Sequence, residues 1–317
     1  VKYTSVPPGE YSQKLTTLVS SGKAPDVFYV GGPEFYRFVE AGILLNLQPY
    51  LEKTDLFDPN NVWKQALDRY RYNGQTVGEG DLYGLPKDVG PWAFVYNKDL
   101  FEQAGITQLP KTLDELEQVA EQLQQAGITP FVNGYGVWWV LGNHLSNIAF
   151  AHQDDPDAFI KGLDEGTEQF MGNPVFEQWF DLIDLTVKYG NRNPLQTDYN
   201  TQLTDFATGK AAMTQQGNWM QEEIMKANPD MRMGFIPMPI NNDAAKMDKL
   251  PVSIPYGWVI NKDSPVKQEA KDFLNWMVMS ETGQRYMVEK FKFIPAFDHV
   301  EGNLEDLGQL ANEIIRY

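Results

Sequence analysis

The chain contains no cysteine, which excludes disulfides, thiolate metal sites and cysteine nucleophiles. Histidine is almost as scarce, with three residues that lie far apart in sequence: His144, His152 and His299. We interpret them as ordinary core or surface histidines, and we predict neither a metal site nor a cofactor.

Several motifs are also missing. The sequence contains no P-loop, no GxSxG, no HExxH and no GxGxxG, and no apolar run approaches the length of a membrane span. No signal peptide is visible, yet residues 1–6, VKYTSV, alternate as a strand would from the very first position. We therefore expect the sequence to be a fragment of a longer chain, so the missing signal carries little weight.

Basic residues are in deficit. The chain has 26 Lys and Arg against 43 Asp and Glu, a net charge of −17, which argues against nucleic acid or an anionic membrane as partner. Its 317 residues, 42% of them hydrophobic, are enough for two lobes with a sizeable core.

The most informative stretch covers residues 82–106. A turn with Pro86 leads into an apolar run at 92–96, which predicts a buried strand, followed by a helix capped by Asn97 and ended by Gly105. Nearer the start, the apolar run at 27–30 predicts a strand buried on both faces, as in a parallel sheet covered by helices. Strands alternate with helical patterns, which indicates the α/β class.

Proline-containing extended runs recur near 86–96, 252–260 and 293–297. We interpret them as crossings between two lobes, near 90–93, 252–257 and 293–297. Residues 1–90 and 257–295 then form lobe 1, and residues 91–256 and 296–317 form lobe 2.

Aromatic residues carry the functional signal. Several stand at turns or strand ends beside Gly, Pro or Asn, namely Trp92, Trp138, Trp139, Trp219, Tyr256 and Trp258, whereas Trp179 and Trp276 lie within helical stripes. An indole offers a flat apolar face with a polar edge, which suits the C–H face of a sugar ring. The alternative is that these aromatic residues only plug loops.

Carboxylates offer a second interpretation. Glu34, Glu79, Asp81 and Asp88 lie near the presumed cleft, and a pair of them could serve as acid and base of a glycoside hydrolase. With 43 acidic residues in the chain, such pairs also arise by chance.

Four groups of motifs carry a family resemblance. They are LYGLP at 82–86 with YNKDLF at 96–101, AG at 104–105 and PKT at 110–112; GKAPDV at 22–27; Phe206 with GKAAM at 209–213 and GNW at 217–219; and Gly257 with INK at 260–262 and AKDF at 270–273. Because these motifs occur in this order and spacing, the chain resembles the extracellular solute-binding proteins of carbohydrate ABC transporters, the group that includes maltose-binding protein.

The resemblance implies a type II periplasmic-binding-protein-like fold: two α/β lobes, each a β-sheet flanked by helices, joined by hinge strands and closing on a sugar. It implies no catalysis, delivery of the sugar to the membrane permease subunits of an ABC importer, and a monomer. It also implies a lipid-anchored protein on the extracellular face of a bacterial membrane, or a periplasmic one. Compared with the family, we expect the chain to lack the first strand and helix and the last helices.

The predicted ligand-binding positions, most of them implied by the resemblance, fall in five places. They are Trp219 with Asn218; Trp138 and Trp139; Tyr29, Gly32 and Glu34; Lys87, Asp88 and Trp92; and Tyr256, Gly257 and Trp258. We expect the sugar to stack on Trp219, with Asp88 and Glu34 selecting its stereochemistry through hydrogen bonds.

Other functions stay open at this point. The same fold could bind a peptide, a polyamine or iron, although the weight of tryptophan favours a sugar and leans toward an oligosaccharide. A glycoside hydrolase is a further alternative. A purely structural protein would have no purpose for the hinge-like runs.

Overall fold

A computed structural model describes residues 2–6, 8–51, 67–297, 299–300 and 302–316. The chain forms two compact units: unit 1 is Val1–Gly90 with Ser253–Leu307, and unit 2 is Pro91–Val252 with Gly308–Tyr317. The strands are β1 (Val27–Val30), β2 (Arg71–Tyr72), β3 (Asp81–Leu82), β4 (Leu85–Pro86), β5 (Gly90–Asn97), β6 (Thr129–Val132), β7 (Ala211–Gly217), β8 (Met233–Ile236), β9 (Val252–Ser253) and β10 (Gly257–Ile260).

The α-helices are α1 (Pro8–Ser20), α2 (Gly32–Glu40), α3 (Gln48–Leu51), α4 (Lys98–Gln103), α5 (Leu113–Gln125), α6 (Ser146–Ala151), α7 (Pro156–Glu165), α8 (Pro174–Lys188), α9 (Tyr199–Ala207), α10 (Gln221–Ala227), α11 (Ala244–Met247), α12 (Lys267–Met279), α13 (Glu281–Arg285), α14 (Leu304–Leu307) and α15 (Gln309–Asn312). Two π-helical turns cover Val140–Leu145 and Tyr286–Lys290. Short 3₁₀ turns cover Pro194–Gln196, Asn218–Met220 and Glu313–Arg316. Within the described ranges, the helices are all too short or too polar to cross a membrane.

Unit 1 is built on a three-stranded sheet with the order β1-β10-β4. Both pairings are antiparallel, and Tyr29 lies opposite Trp258. The prediction of a parallel strand buried on both faces at 27–30 is wrong, because β1 is an edge strand and buries only Phe28 and Val30. The strand predicted at 1–6 is also wrong over residues 2–6, which pair with no other strand. An extended segment becomes a strand only where a neighbour accepts its hydrogen bonds.

Unit 2 is built on a larger sheet with the order β6-β7-β5-β8, and β9 also pairs with β5. β5 is buried along its whole length and runs antiparallel to both β7 and β8, while β6 runs parallel to β7. The strand predicted at 92–96 is therefore confirmed. So is the cap that follows it, because the Asn97 side chain accepts hydrogen bonds from the backbone N–H groups of Asp99 and Leu100.

The division of the chain differs from the sequence-based one in two segments. Residues 253–256 and 296–307 were assigned to lobe 2, but they belong to unit 1. The Tyr256 carbonyl accepts a hydrogen bond from the Lys87 N–H, which ties the first segment to unit 1. In the second segment Phe297, Val300 and Leu307 are buried. The run at 293–297 is thus no crossing, and the chain returns to unit 2 at Gly308.

Candidate functional site

Four aromatic side chains of unit 1 form what we call the tyrosine cluster: Tyr11, Tyr29, Tyr256 and Trp258. Pairing of β1 with β10 sets Tyr29 beside Trp258, with ring centres 5.6 Å apart and planes perpendicular. Tyr256 meets Tyr29 edge-on at 5.2 Å, and Tyr11 stacks on it at 4.4 Å. The Tyr11 hydroxyl donates to the Tyr29 carbonyl at 2.6 Å. Three predicted site residues are thus in direct ring contact.

The phenols of the tyrosine cluster are protonated at neutral pH. Burial raises the pKa of Tyr29 to about 12, and it also raises the pKa of Tyr11. Burial and then the negative charge of Glu34 raise the pKa of Tyr256. Each phenol therefore stays a neutral O–H group, able to donate or accept a hydrogen bond.

Lys87 and Asp88 form an ion pair between β4 and β5. Lys87 Nζ lies 2.8 Å from Asp88 Oδ2, 3.7 Å from the ring centre of Phe293 and 6.0 Å from that of Tyr29. The ammonium is thus held by a carboxylate and by aromatic faces. Asp88 is 7% exposed, and among the described residues its Oδ1 has no hydrogen-bond partner. This carboxylate oxygen therefore has acceptor capacity that no described group uses.

The other predicted residues of unit 1, Gly32, Glu34 and Gly257, have structural roles. Glu34 is half-buried against α1, where it accepts hydrogen bonds from Ser12 Oγ at 3.0 Å and Thr16 Oγ1 at 3.4 Å. Gly32 opens α2 with a φ of +57°, a left-handed conformation that favours glycine. A Cβ on Gly257 would overlap the ring of Tyr70. The two glycines therefore serve the backbone and packing around the cluster.

Unit 2 carries a second group, which we call the indole–histidine cluster: Trp92, His144 and Trp219. His144 stacks on Trp92 with ring centres 4.8 Å apart, and Trp219 lies tilted 5.4 Å from His144. Trp92 lies on β5 directly opposite Gly217, the last residue of β7, and Trp219 follows in the 3₁₀ turn. The antiparallel register thus brings together two predicted tryptophans that are far apart in sequence.

Two ring nitrogens of the indole–histidine cluster have hydrogen-bond partners. Trp219 Nε1 donates to Gln216 Oε1 at 3.0 Å, and His144 Nδ1 lies 3.3 Å from Gln215 Oε1. Burial lowers the pKa of His144 from 6.5 to about 4, so the imidazole is neutral at pH 7. Trp92 Nε1 is buried and, within the part of the chain that is described, has no hydrogen-bond partner. This indole N–H is therefore a donor that no described acceptor uses.

Gly217 sets the position of the Trp219 ring, since a Cβ at this position would overlap the indole. We expect Gly217→Ala to displace the ring and to weaken ligand binding about fivefold, because displacing a packed side chain costs on the order of 1 kcal/mol. Titration calorimetry with a ligand that stabilises the protein against thermal unfolding checks this. Gly142→Ala, at an exposed position of unit 2 where a Cβ meets no atom within 4 Å, is the matched control. Wild-type affinity in Gly217→Ala would contradict the assignment.

The remaining predicted residues of unit 2 are Trp138, Trp139 and Asn218. Trp138 is 61% exposed and meets Trp139 edge-on at 6.1 Å, while Trp139 packs on Tyr199 at 6.1 Å. Asn218 is half-buried in the turn next to Trp219. Trp138, Trp139 and Tyr199 thus form a separate series of ring contacts.

Sequence reasoning missed two members of these clusters, Tyr11 and His144, and two residues outside them, Phe293 and Gln216. His144 was given no role, although it lies between two predicted tryptophans. It stands in a π-helical turn, which a search for the 3.6-residue period does not reveal. Tyr11, Phe293 and Gln216 were missed because helical spacing explains the first, and strand patterns explain the other two.

Among the described residues there is no group of three or more His, Asp or Glu side chains that could hold a metal ion.

Comparison with known proteins identifies the family. The model of the family described as bacterial extracellular solute-binding protein matches residues 1–284, so the chain belongs to this family. The sequence-based resemblance is thereby confirmed.

Two curated relatives are 25% identical to the chain over the residues that align. The "Multiple sugar-binding protein" of Streptococcus mutans is 25% identical over 90% of this chain and 66% of its own length. The "Maltotriose-binding protein" of Pyrococcus abyssi is 25% identical over 90% of this chain and 58% of its own length. The chain therefore spans about three fifths of the length of these relatives.

Solved structures show the fold. The structure described as "SBP RafE in complex with raffinose" superimposes with a TM-score of 0.78 at 22% identity, covering 100% of this chain and 79% of that one. The predicted fold class, the two-lobed type II solute-binding fold, is confirmed by this likeness.

Proposed function

We propose that this protein binds a carbohydrate without changing it and delivers it to an ABC importer. One observation carries the proposal: each unit pairs an aromatic cluster with a buried polar atom that has no partner among the described residues. These atoms are the acceptor Asp88 Oδ1 in unit 1 and the donor Trp92 Nε1 in unit 2.

The chemistry of the two clusters fits a sugar. A pyranose offers apolar C–H faces to aromatic rings, and its hydroxyls both donate and accept hydrogen bonds. Asp88 Oδ1 calls for a donor and Trp92 Nε1 for an acceptor, and a hydroxyl group serves either purpose. An iron ion suits neither an indole N–H nor an aromatic face.

The relatives support the same class of ligand. Their names specify multiple sugars and maltotriose, and the structural neighbour holds raffinose. An oligosaccharide would offer enough ring faces for several of the aromatic side chains. We therefore propose a short oligosaccharide over a monosaccharide.

The partners follow from the family. We propose that the protein is a monomer that docks on the membrane permease subunits of an ABC importer and binds no nucleic acid. It acts outside the cytoplasmic membrane, lipid-anchored or in the periplasm. Closure of the two lobes on the sugar, which the resemblance implies, stays a prediction.

A ligand screen tests the proposal. Thermal unfolding is measured with panels of mono-, di- and trisaccharides, and with peptides, polyamines and ferric iron as the alternatives. A ligand present at a hundred times its Kd adds about 2.7 kcal/mol to the free energy of unfolding, which shifts the melting temperature visibly. We expect the shift with an oligosaccharide. Stabilisation by a peptide, polyamine or iron alone would overturn the proposal.

The absence of catalysis has its own test. The protein is incubated with each oligosaccharide that stabilises it, and the mixture is examined for shorter products. We expect the saccharide to be recovered intact. Release of products that is lost in an Asp88→Asn or Glu34→Gln variant would favour the glycoside hydrolase instead.

Asp88 supplies a direct prediction for the binding site. Asp88→Asn keeps the side-chain shape but removes the charge that strengthens a hydrogen bond from a sugar hydroxyl, so we expect roughly tenfold weaker binding. Calorimetry with the saccharide from the screen checks it. Asp272→Asn is the matched control, because Asp272 lies on α12 in the same unit and accepts an exposed hydrogen bond from Gln268. Equal affinities of the two variants would exclude Asp88 from the site.

A further inference from the structure

The indole–histidine cluster is supported from behind by a buried chain of polar side chains. Gln202, Thr214 and Gln216 each have 0% exposure, and they are linked to one another and to Trp219 by hydrogen bonds. Glutamine is rarely buried completely in a protein interior, because each amide must then find partners for its donors and its acceptor.

We propose that Gln216 and, behind it, Gln202 are positioning residues that hold the Trp219 indole in the orientation in which it binds sugar. This inference rests on the proposed function. It adds two residues that do not touch the sugar themselves and that act through the tryptophan.

The indole fixes the direction of the whole chain of hydrogen bonds. Its Nε1–H is a donor only, so the Gln216 atom 3.0 Å away must be the carbonyl oxygen Oε1. The Gln216 amide nitrogen is then free to donate, and it does so to Gln202 Oε1 at 2.8 Å. The assignment of oxygen and nitrogen in both amides therefore follows from the chemistry of tryptophan.

The end of this hydrogen-bond network that is remote from Trp219 is bonded to the sheet. Gln202 Nε2 donates to Thr214 Oγ1 at 2.7 Å and to the Gln215 carbonyl at 3.2 Å. Thr214 Oγ1 donates in turn to the Val132 carbonyl at 3.0 Å. The hydrogen bonds thus run from Trp219 through two amides to the backbone of β7 and β6. A buried polar chain with every member bonded makes the local structure rigid.

Two other contacts limit the ring. The indole lies on the backbone of Gly217, where a Cβ would overlap it, and His144 lies 5.4 Å away on another side. Trp219 is nevertheless half-buried, so part of the ring stays accessible. The Nε1–H bond to Gln216 is the directional contact that sets the rotation of the ring within this space.

The test uses methionine, which has nearly the shape of glutamine but no amide. Gln216→Met removes the acceptor of the indole, and Gln202→Met removes the support behind it. We expect Gln216→Met to weaken saccharide binding roughly fivefold and Gln202→Met roughly two- to threefold, since one net hydrogen bond is worth about 1 kcal/mol. Because both act through one hydrogen-bonded chain, the double variant is expected to bind no more weakly than Gln216→Met alone.

A spectroscopic readout separates positioning from general loss of stability. Each of the 8 tryptophans gives one indole N–H resonance, and Trp219→Phe identifies that of Trp219. We compare sugar-free Gln216→Met with the sugar-free wild type. In the variant we expect this resonance to lie further upfield and its proton to exchange faster with water. Gln202→Met, which keeps Gln216, carries the test if Gln216→Met does not fold.

Thr186→Val is the matched control. Thr186 is buried in the same unit and shares a hydrogen bond of 2.6 Å with the Tyr135 hydroxyl, outside the chain described above. It is expected to lose stability while the Trp219 resonance and the affinity stay as in the wild type. An unmoved Trp219 resonance in Gln216→Met, a loss of affinity no greater than that of Thr186→Val, or additive losses in the double variant would each overturn the inference.

The two proposals fail in different ways. If no saccharide binds the wild-type protein, the proposed function fails, and the Trp219 resonance in the free protein still reports whether Gln216 holds the ring. If saccharides bind and the resonance does not respond to Gln216→Met, only the positioning inference fails.

Discussion

Replacement of Trp219 by alanine is expected to weaken saccharide binding at least tenfold while the protein stays folded. A tenfold loss corresponds to about 1.4 kcal/mol, and an aromatic side chain that packs on a ligand is commonly worth about 2 kcal/mol or more. The ring is half-buried and packs on the edge of the core, so its removal opens less core than that of a fully buried tryptophan. The substitution also leaves the buried Gln216 Oε1 without its donor, which lowers the stability of the folded protein.

Calorimetry with the saccharide found in the screen gives the affinity, and thermal unfolding of the same samples shows whether the fold persists. Trp276→Ala is the matched control, because Trp276 is 46% exposed on α12 of unit 1 and belongs to neither cluster. We expect this variant to bind like the wild type. Wild-type affinity in Trp219→Ala would remove Trp219 from the site.

Acid is expected to destabilise unit 2 through His144. Folding lowers the pKa of this histidine from 6.5 to about 4 because the imidazole is buried. Between these two pH values the unfolded chain binds more protons than the folded one, so the free energy of unfolding falls as the pH falls. The contribution is fully present above pH 6.5 and is lost by about pH 4, and it amounts to roughly 3 kcal/mol at about 1.4 kcal/mol per pH unit.

Denaturant unfolding followed by tryptophan fluorescence at a series of pH values measures this effect. His144→Phe keeps an aromatic ring at this position but removes the titrating group. We therefore expect the free energy of unfolding to decline less steeply between pH 6.5 and 4 than in the wild type. The variant is expected to be less stable overall. His152→Phe removes a histidine at the end of α6, outside the cluster, and is expected to keep the decline that His144 causes. Equal pH profiles for wild type and His144→Phe would contradict this account.

Local signals in the sequence predicted local structure well. The run at 92–96 with Asn97 after it specified a strand and a capped helix, since both depend on neighbouring residues. The aromatic residues at strand ends likewise indicated where two clusters form. The family motifs then added the fold, which no single segment specifies.

Long-range pairing was beyond the reach of the sequence. The run at 27–30 is apolar throughout, and its antiparallel partner β10, which sets Tyr29 against Trp258, follows more than two hundred residues later. The same holds for Gln216, whose partner Gln202 lies on another element. The polarity of a residue indicates whether it tends to be buried. Which residue it contacts depends on which strands pair in the folded protein.

The late position of β10 in the chain has a consequence for folding during synthesis. β10 is the middle strand of the unit 1 sheet, so β1 and β4 remain unpaired until residue 260 has been made. The four consecutive strands of the unit 2 path, β6, β7, β5 and β8, are complete by Ile236. Unit 2 is therefore expected to acquire protection from hydrogen exchange first, which pulse labelling of stalled nascent chains would show.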